Sequence, residues 1–200
     1  MKSLSIVTAH YNDTPQLVKT YYSLVSQTYK NWELIIIDSF TYNFYQDVDK
    51  NILNDQRVKI ISLRSGIYDA MNYGILSVST DYFQILNAGT IYTSEFILEK
   101  CMHIVTKFHE KYGHRMHLFQ MEIMGLKNAY KNIPSPLFFP FRCGHEATIY
   151  PQKSEGKILH SQRFKVAADL FFLLEYGDFF KKKYYSFSRV KYPKGGRSDS

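Results

Sequence analysis

The chain opens with an apolar, β-branched run, Leu4–Ala9 (LSIVTA), that predicts a buried strand. Tyr11, Asn12 and Asp13 interrupt it, Asp13 or Thr14 can cap a helix, and Pro15 suits the first turn. Leu17, Val18, Tyr21, Tyr22 and Val25 then recur at helical spacing, and the helix is expected to end within 27–31. Trp32–Asp38 (WELIIID) is the clearest strand, apolar on both faces as in a parallel sheet. A helix over Tyr45–Leu53 and a strand over Val58–Leu63 follow, so the first 63 residues read β-α-β-α-β and predict an α/β class.

Beyond a turn at Gly66, Ala70–Val78 reads as a helix in which Gly74 is a mild defect. Tyr82–Leu86 reads as a fourth strand, and Ser94–Tyr112 as a helix with Ser94 as N-cap and Gly113 as stop. His117–Met124 suits a strand, the proline-bearing Ile133–Arg142 an irregular loop, and Ala167–Tyr176 a helix. No repeat or Gly/Ser-rich linker divides the chain, so one domain over 1–200 is expected. A nucleotide-binding half would cover about 1–90, an acceptor and catalytic half about 91–180, and a basic aromatic tail 181–200.

Composition changes this picture at few points. The chain is 45% hydrophobic, enough for a core without staples, yet no apolar run reaches membrane-spanning length. The start, MKSLSIVTAHYND, lacks the apolar core of a signal peptide, and Cys101 and Cys143 are expected as free thiols, so a cytoplasmic location is expected. The net charge of +7 is concentrated at the end, where Lys181, Lys182, Lys183, Arg189, Lys191, Lys194 and Arg197 alternate with Tyr184, Tyr185, Phe187 and Tyr192. Such a tail is compatible with solvent, with peripheral contact to an anionic membrane face, or with polyphosphate. A basic nucleic-acid-binding protein is a second functional class, but no recognised nucleic-acid motif occurs, and no nucleic acid is expected as partner. A dinucleotide-dependent dehydrogenase would need G-x-G-x-x-G after the first strand, which is missing.

Four segments in order carry a resemblance: SIVTAHYND with the following SLVSQTYKNWELIIIDS, then SGIYDAMNYGI, then DYFQILNAGT, and finally GHEATIY with FKVAADLFFLL. Together they resemble the inverting family 2 glycosyltransferases, particularly those that build bacterial cell-surface polysaccharides such as lipopolysaccharide and capsule. The resemblance implies a GT-A fold, the nucleotide-diphospho-sugar transferase fold, with a Rossmann-like, mostly parallel central sheet flanked by helices. It also implies a nucleotide-sugar donor, most simply a UDP-sugar, and a glycan or lipid-linked glycan acceptor.

In such a sheet, ligands lie beyond the carboxyl ends of the parallel strands. The resemblance places nucleotide contacts at Thr8, Ala9 and Tyr11, at Asp38 for base or ribose, and at Gly66, Asp69 and Asn72. A carboxylate at 38 can accept from a base imide or a ribose hydroxyl. The diphosphate region falls at Asn87, Gly89, Thr90 and His145. Asp169 is the implied catalytic base, an acid set within the apolar stretch VAADLFFLL.

The chain departs from the family in two places. The family carries a metal-binding carboxylate after the fourth strand, in this subgroup as Asn-Ser-Gly-Asp, whereas here Asn87-Ala88-Gly89-Thr90 contains no carboxylate. The family often has His-Gln where His145-Glu146 stands. A neutral hydroxyl is a poor ligand for Mn²⁺ or Mg²⁺. Three outcomes are open: a divalent cation held by the diphosphate and His145; a cationic substitute among Arg64, Lys127, Arg142 and Lys165; or catalysis that is weak or lost, the last leaving a nucleotide-binding homologue. The closing Gly195-Gly196-Arg197-Ser198 resembles the end of this subgroup's domain.

Overall fold

The computed structural model describes residues 1–39, 41–124, 144–152, 158–161, 163, 168–179 and 181–193. The expected loop over Ile133–Arg142, the closing Gly195–Ser198 motif, and Lys127, Arg142 and Lys165 lie outside the described residues.

The elements are β1 (Leu4–His10), α1 (Thr14–Val25), β2 (Trp32–Asp38), α2 (Phe44–Asp47), α3 (Lys50–Asn54), β3 (Val58–Ser62), α4 (Ile67–Leu76), β4 (Tyr82–Ile85), β5 (Ile91–Tyr92), α5 (Ile97–Tyr112), β6 (Met116–Ile123), β7 (Thr148–Pro151), α6 (Ala168–Phe179) and β8 (Lys182–Tyr192), with a 3-10 turn at His145–Ala147 before β7. Among the described residues they form one eight-stranded sheet, ordered β3-β2-β1-β4-β7-β6-β8-β5. β3, β2, β1 and β4 run parallel, whereas β7 joins β4 and β6 antiparallel. This is the mixed α/β architecture that the alternating pattern predicts.

Side-chain alternation along β1 divides the core. Leu4 and Ile6 join the layer that packs with α1 and α5, and Val7 joins Ile35, Ile37 and the buried face of α4. Gly74 allows α4 to lie against β1: a Cβ there would stand 2.1 Å from Val7 Cγ1. The glycine read as a mild defect is therefore required by a close helix–sheet approach.

Several boundaries differ from the expectation. The helix over Tyr45–Leu53 is two short ones, α2 and α3, separated where Val48 adopts extended backbone (φ −76, ψ 145). α4 begins at Ile67 rather than Ala70, with Gly66 in the N-cap position. Ser94 does not cap α5, which begins at Ile97. Its early N–H at Leu98 is satisfied by Gln27 Oε1 at 3.0 Å, a side chain from the turn that follows α1, while Gln27 Nε2 donates to the Ser94 carbonyl at 2.9 Å.

The expected basic tail is corrected over its described part. Lys182–Tyr192 is β8, inserted between β6 and β5. Arg189 is wholly buried, where its guanidinium donates to Gln84 Oε1 and lies over the Tyr92 and Phe119 rings. No described helix is long and apolar enough to cross a membrane.

Candidate active site

The carboxyl ends of β1, β2 and β4 converge. β1 and β2 are in register to their ends, pairing His10 with Asp38. There His10 Nδ1 lies 3.0 Å from Asp38 Oδ1, with both side chains buried. The Thr41 backbone N–H donates to Asp38 Oδ2 at 3.1 Å and Oδ1 at 3.3 Å. Asp38 thus lies at the bottom of an open groove of about 370 Å³, bordered by Thr41, Phe44, Tyr45 and Ser62. Two donors, His10 Nδ1 and the Thr41 N–H shared between both oxygens, engage this carboxylate, which keeps acceptor capacity for a ligand. Tyr11 is 65% exposed at the strand end, and Asn12 is left-handed (φ 51). Ala9 is half-buried beside them.

Gly66 and Asp69 open α4 at the same end of the sheet. Gly66 has φ −74, and a Cβ there would meet only Asp69 Oδ2, at 3.8 Å. Neither backbone geometry nor packing requires glycine at 66, so the space it leaves faces outward. Asp69 lies half-buried in the first helical turn.

Asn72 has a different role from the expected one. Its Nδ2 donates to the His160 carbonyl at 3.0 Å, and its Oδ1 accepts the His160 N–H at 2.7 Å. The amide is therefore used to hold the 158–161 segment. His160 itself went unrecognised in the sequence because its partners are far along the chain. It stacks on Phe172 (ring centroids 4.2 Å, interplanar 9°) and on Tyr68 (5.5 Å, 23°). Burial, reinforced by nearby His145 and opposed by Asp169, pushes His160 down to about 3. Thr8 is likewise wholly buried, so its side chain supports the strand rather than lining the groove.

Asp169 lies in the first turn of α6, with Oδ2 3.5 Å from His145 Nδ1. Burial penalises a charged His145, but the hydrogen bond to Asp169 and the nearby Glu146 and Asp169 charges outweigh it and raise its pKa. Tyr68 borders the same pair: burial and the Asp169 charge raise its phenol, and the Ala168 backbone N–H at the hydroxyl opposes them. The other ring nitrogen, His145 Nε2, is 3.4 Å from Asn87 Nδ2. This matches a neutral tautomer with hydrogen on Nδ1, while turning the Asn87 amide over would suit the imidazolium.

The Asn87–Thr90 turn is fixed from within. Gly89 is left-handed (φ +94), and a Cβ would stand 3.0 Å from Pro193 Cγ and 3.3 Å from Gln16 Oε1. The Gly89 N–H donates to Thr20 Oγ1 at 2.8 Å, and Thr20 Oγ1 donates to the Thr90 carbonyl at 3.0 Å. Thr90 is wholly buried, and its hydroxyl donates to Glu146 Oε1 at 2.8 Å. Asn87 N–H reaches the same oxygen at 3.3 Å. Burial raises Glu146, with His145, Thr90 and Asn87 opposing.

A divalent cation of the Mn²⁺ or Mg²⁺ type needs oxygen ligands that include carboxylate. Thr90 directs its hydroxyl inward, Glu146 Oε1 accepts from the turn, and both His145 nitrogens face protein partners. No group of three His, Cys, Asp or Glu suited to a metal occurs among the described residues. The residues at this turn do not fit the ion that the family resemblance implies. Of the four cationic substitutes, Arg64 is described, and it is exposed in the loop following β3.

Residues 5–120 match the model of "Glycosyl transferase family 2". The chain belongs to glycosyl transferase family 2. A Haemophilus influenzae protein described as an uncharacterized glycosyltransferase is 29% identical over 113 residues, covering 50% of this chain and 34% of that protein. The chain thus spans about a third of the curated relative it matches. Among solved structures, S. aureus TarS superposes with a TM-score of 0.79 at 12% identity, over 96% of this chain and 36% of TarS. Its 1–349 form in complex with UDP gives 0.77 at 13% identity, over 96% and 60% of the two chains. The mannosyltransferase PcManGT from Pyrobaculum calidifontis, in complex with GDP-Man and Mn²⁺, gives 0.70 at 10% identity, over 98% and 58%. At these identities the likeness establishes the GT-A fold.

Proposed function

We propose that this family 2 member transfers a glycosyl group from a nucleoside-diphosphate sugar, a UDP-sugar in the first instance, to a hydroxyl of a glycan or lipid-linked glycan acceptor of the bacterial surface. The supporting observation is the Asp169–His145 contact beside the Asn87–Thr90 turn, at the carboxyl edge of the sheet where Asp38 faces its groove. The base and ribose occupy the Asp38 groove, and Tyr11, Gly66 and Asp69 contribute further nucleotide contacts from the same end of the sheet. Asp169 accepts the acceptor hydroxyl's proton as that oxygen bonds to the anomeric carbon and the bond to the diphosphate breaks. One displacement inverts the anomeric centre. His145 acts as a positioning residue that orients the Asp169 carboxylate. The reaction takes place on the cytoplasmic side, with the exposed Lys181 and Lys183 at the start of β8 available to an anionic membrane face.

Asp169→Asn tests this. Release of nucleoside diphosphate from the donor falls by at least about 100-fold, while calorimetric binding of UDP changes little. Retained turnover overturns the base assignment. Nucleotide binding with no turnover in the unaltered chain would favour a non-catalytic homologue.

A further inference from the structure

Glu146 provides an acidic group that the Asn87–Thr90 turn itself lacks. It is 3% exposed, and its Oε1 accepts from Thr90 Oγ1 at 2.8 Å and from Asn87 N–H at 3.3 Å. Its backbone carbonyl accepts from Gln84 Nε2 on β4, so the 3-10 turn is tied to β4 as well. Where the resembled family has Asp at 90 and often Gln at 146, this chain has Thr and Glu, joined by one hydrogen bond. The acid has moved to the opposite partner of that bond, and the change alters what the turn presents. An Asp at 90 would attach a carboxylate to the turn itself, whereas Glu146 directs its carboxyl into the turn from behind, where a hydroxyl and a backbone N–H engage it. A cation drawn to Glu146 Oε1 would have to displace both donors from a buried site, at a desolvation cost that the two existing bonds already offset.

We infer that the acidic group of this site has been transposed from position 90 to Glu146, where it braces the turn, and that the nucleoside diphosphate binds without a divalent cation. The inference rests on the proposed donor-binding function. A diphosphate at this turn meets no carboxylate-bound ion, because the acid of the site is engaged by Thr90 and the Asn87 N–H, so added Mn²⁺ supplies no ligand-sharing bridge.

The test is calorimetric titration of UDP, GDP, CDP and dTDP into the full chain, each with Mn²⁺ and with EDTA. The expected result is one nucleotide whose affinity agrees within about threefold under both conditions. The paired substitution Thr90→Asp with Glu146→Gln returns the acid to the turn, and in that variant Mn²⁺ tightens the same nucleotide by about tenfold or more. Mn²⁺-dependent binding in the unaltered chain overturns the inference and leaves the donor-binding function standing. A paired variant that folds and binds nucleotide without responding to Mn²⁺ overturns the transposition. No binding by any nucleotide in either condition overturns this inference together with the proposed function.

Discussion

His160 illustrates how a single side chain can make the site sensitive to acid. It is held neutral between Tyr68 and Phe172, with its pKa pushed down to about 3, whereas in an unfolded chain it takes a proton near the ordinary imidazole value. As pH falls below that value the unfolded state gains a proton that the fold refuses, so stability declines until the folded value is reached. His160→Phe keeps the stacking surface and removes the titration. Denaturant unfolding at pH 6.5 and 5.5 should find that wild type loses about 1 kcal/mol more than the variant over this interval. Equal losses would refute the buried-neutral assignment. Glu146 works in the opposite sense. Burial raises its pKa, so its contribution is present at low pH and is lost as pH rises through the folded value. Glu146→Gln, whose amide oxygen can accept the same two donors, should gain on wild type in melting temperature between pH 5 and pH 8. A constant difference across that range would contradict it.

At the scale of elements, the α4–β1 approach predicts the largest structural effect. Gly74→Ala drives a methyl into Val7, and overpacking of this kind costs about 1–3 kcal/mol. Because α4 carries Tyr68 and Asp69, the same variant should also weaken nucleotide binding, which titration at a temperature where it remains folded can measure. β1, β2 and β3 were legible in the sequence because their apolar runs are buried by local α/β packing. β8 was not, although its period-two pattern was present: Tyr185 and Phe187 pack against the core while Tyr184 and Ser186 are exposed. The inward position at Arg189 is a buried guanidinium, which breaks the apolar alternation and makes the strand read as a charged tail. Asp169 and His145 could be singled out individually. The Thr90–Glu146 bond and the Asn72–His160 clasp could not, because each joins segments more than 50 residues apart.

Across the whole molecule, the sheet consists of two parts with different histories in the chain. β3, β2, β1 and β4 pair among the first 85 residues, with α1 and α4 beside them. The far side is completed out of order, since β8 comes last in sequence but lies between β6 and β5. A stop codon after residue 180 should therefore unmask the edges of both β5 and β6. The expected outcome is a chain that moves from the soluble to the aggregated fraction while wild type stays soluble. A soluble, monomeric product that still binds nucleotide would contradict it. During synthesis the first four strands can close as soon as they clear the ribosome, but β5 waits about a hundred residues for its partner. The nascent chain thus carries a half-built sheet while about a hundred residues are added, and slow decoding in that interval lengthens the time a chaperone must shield it.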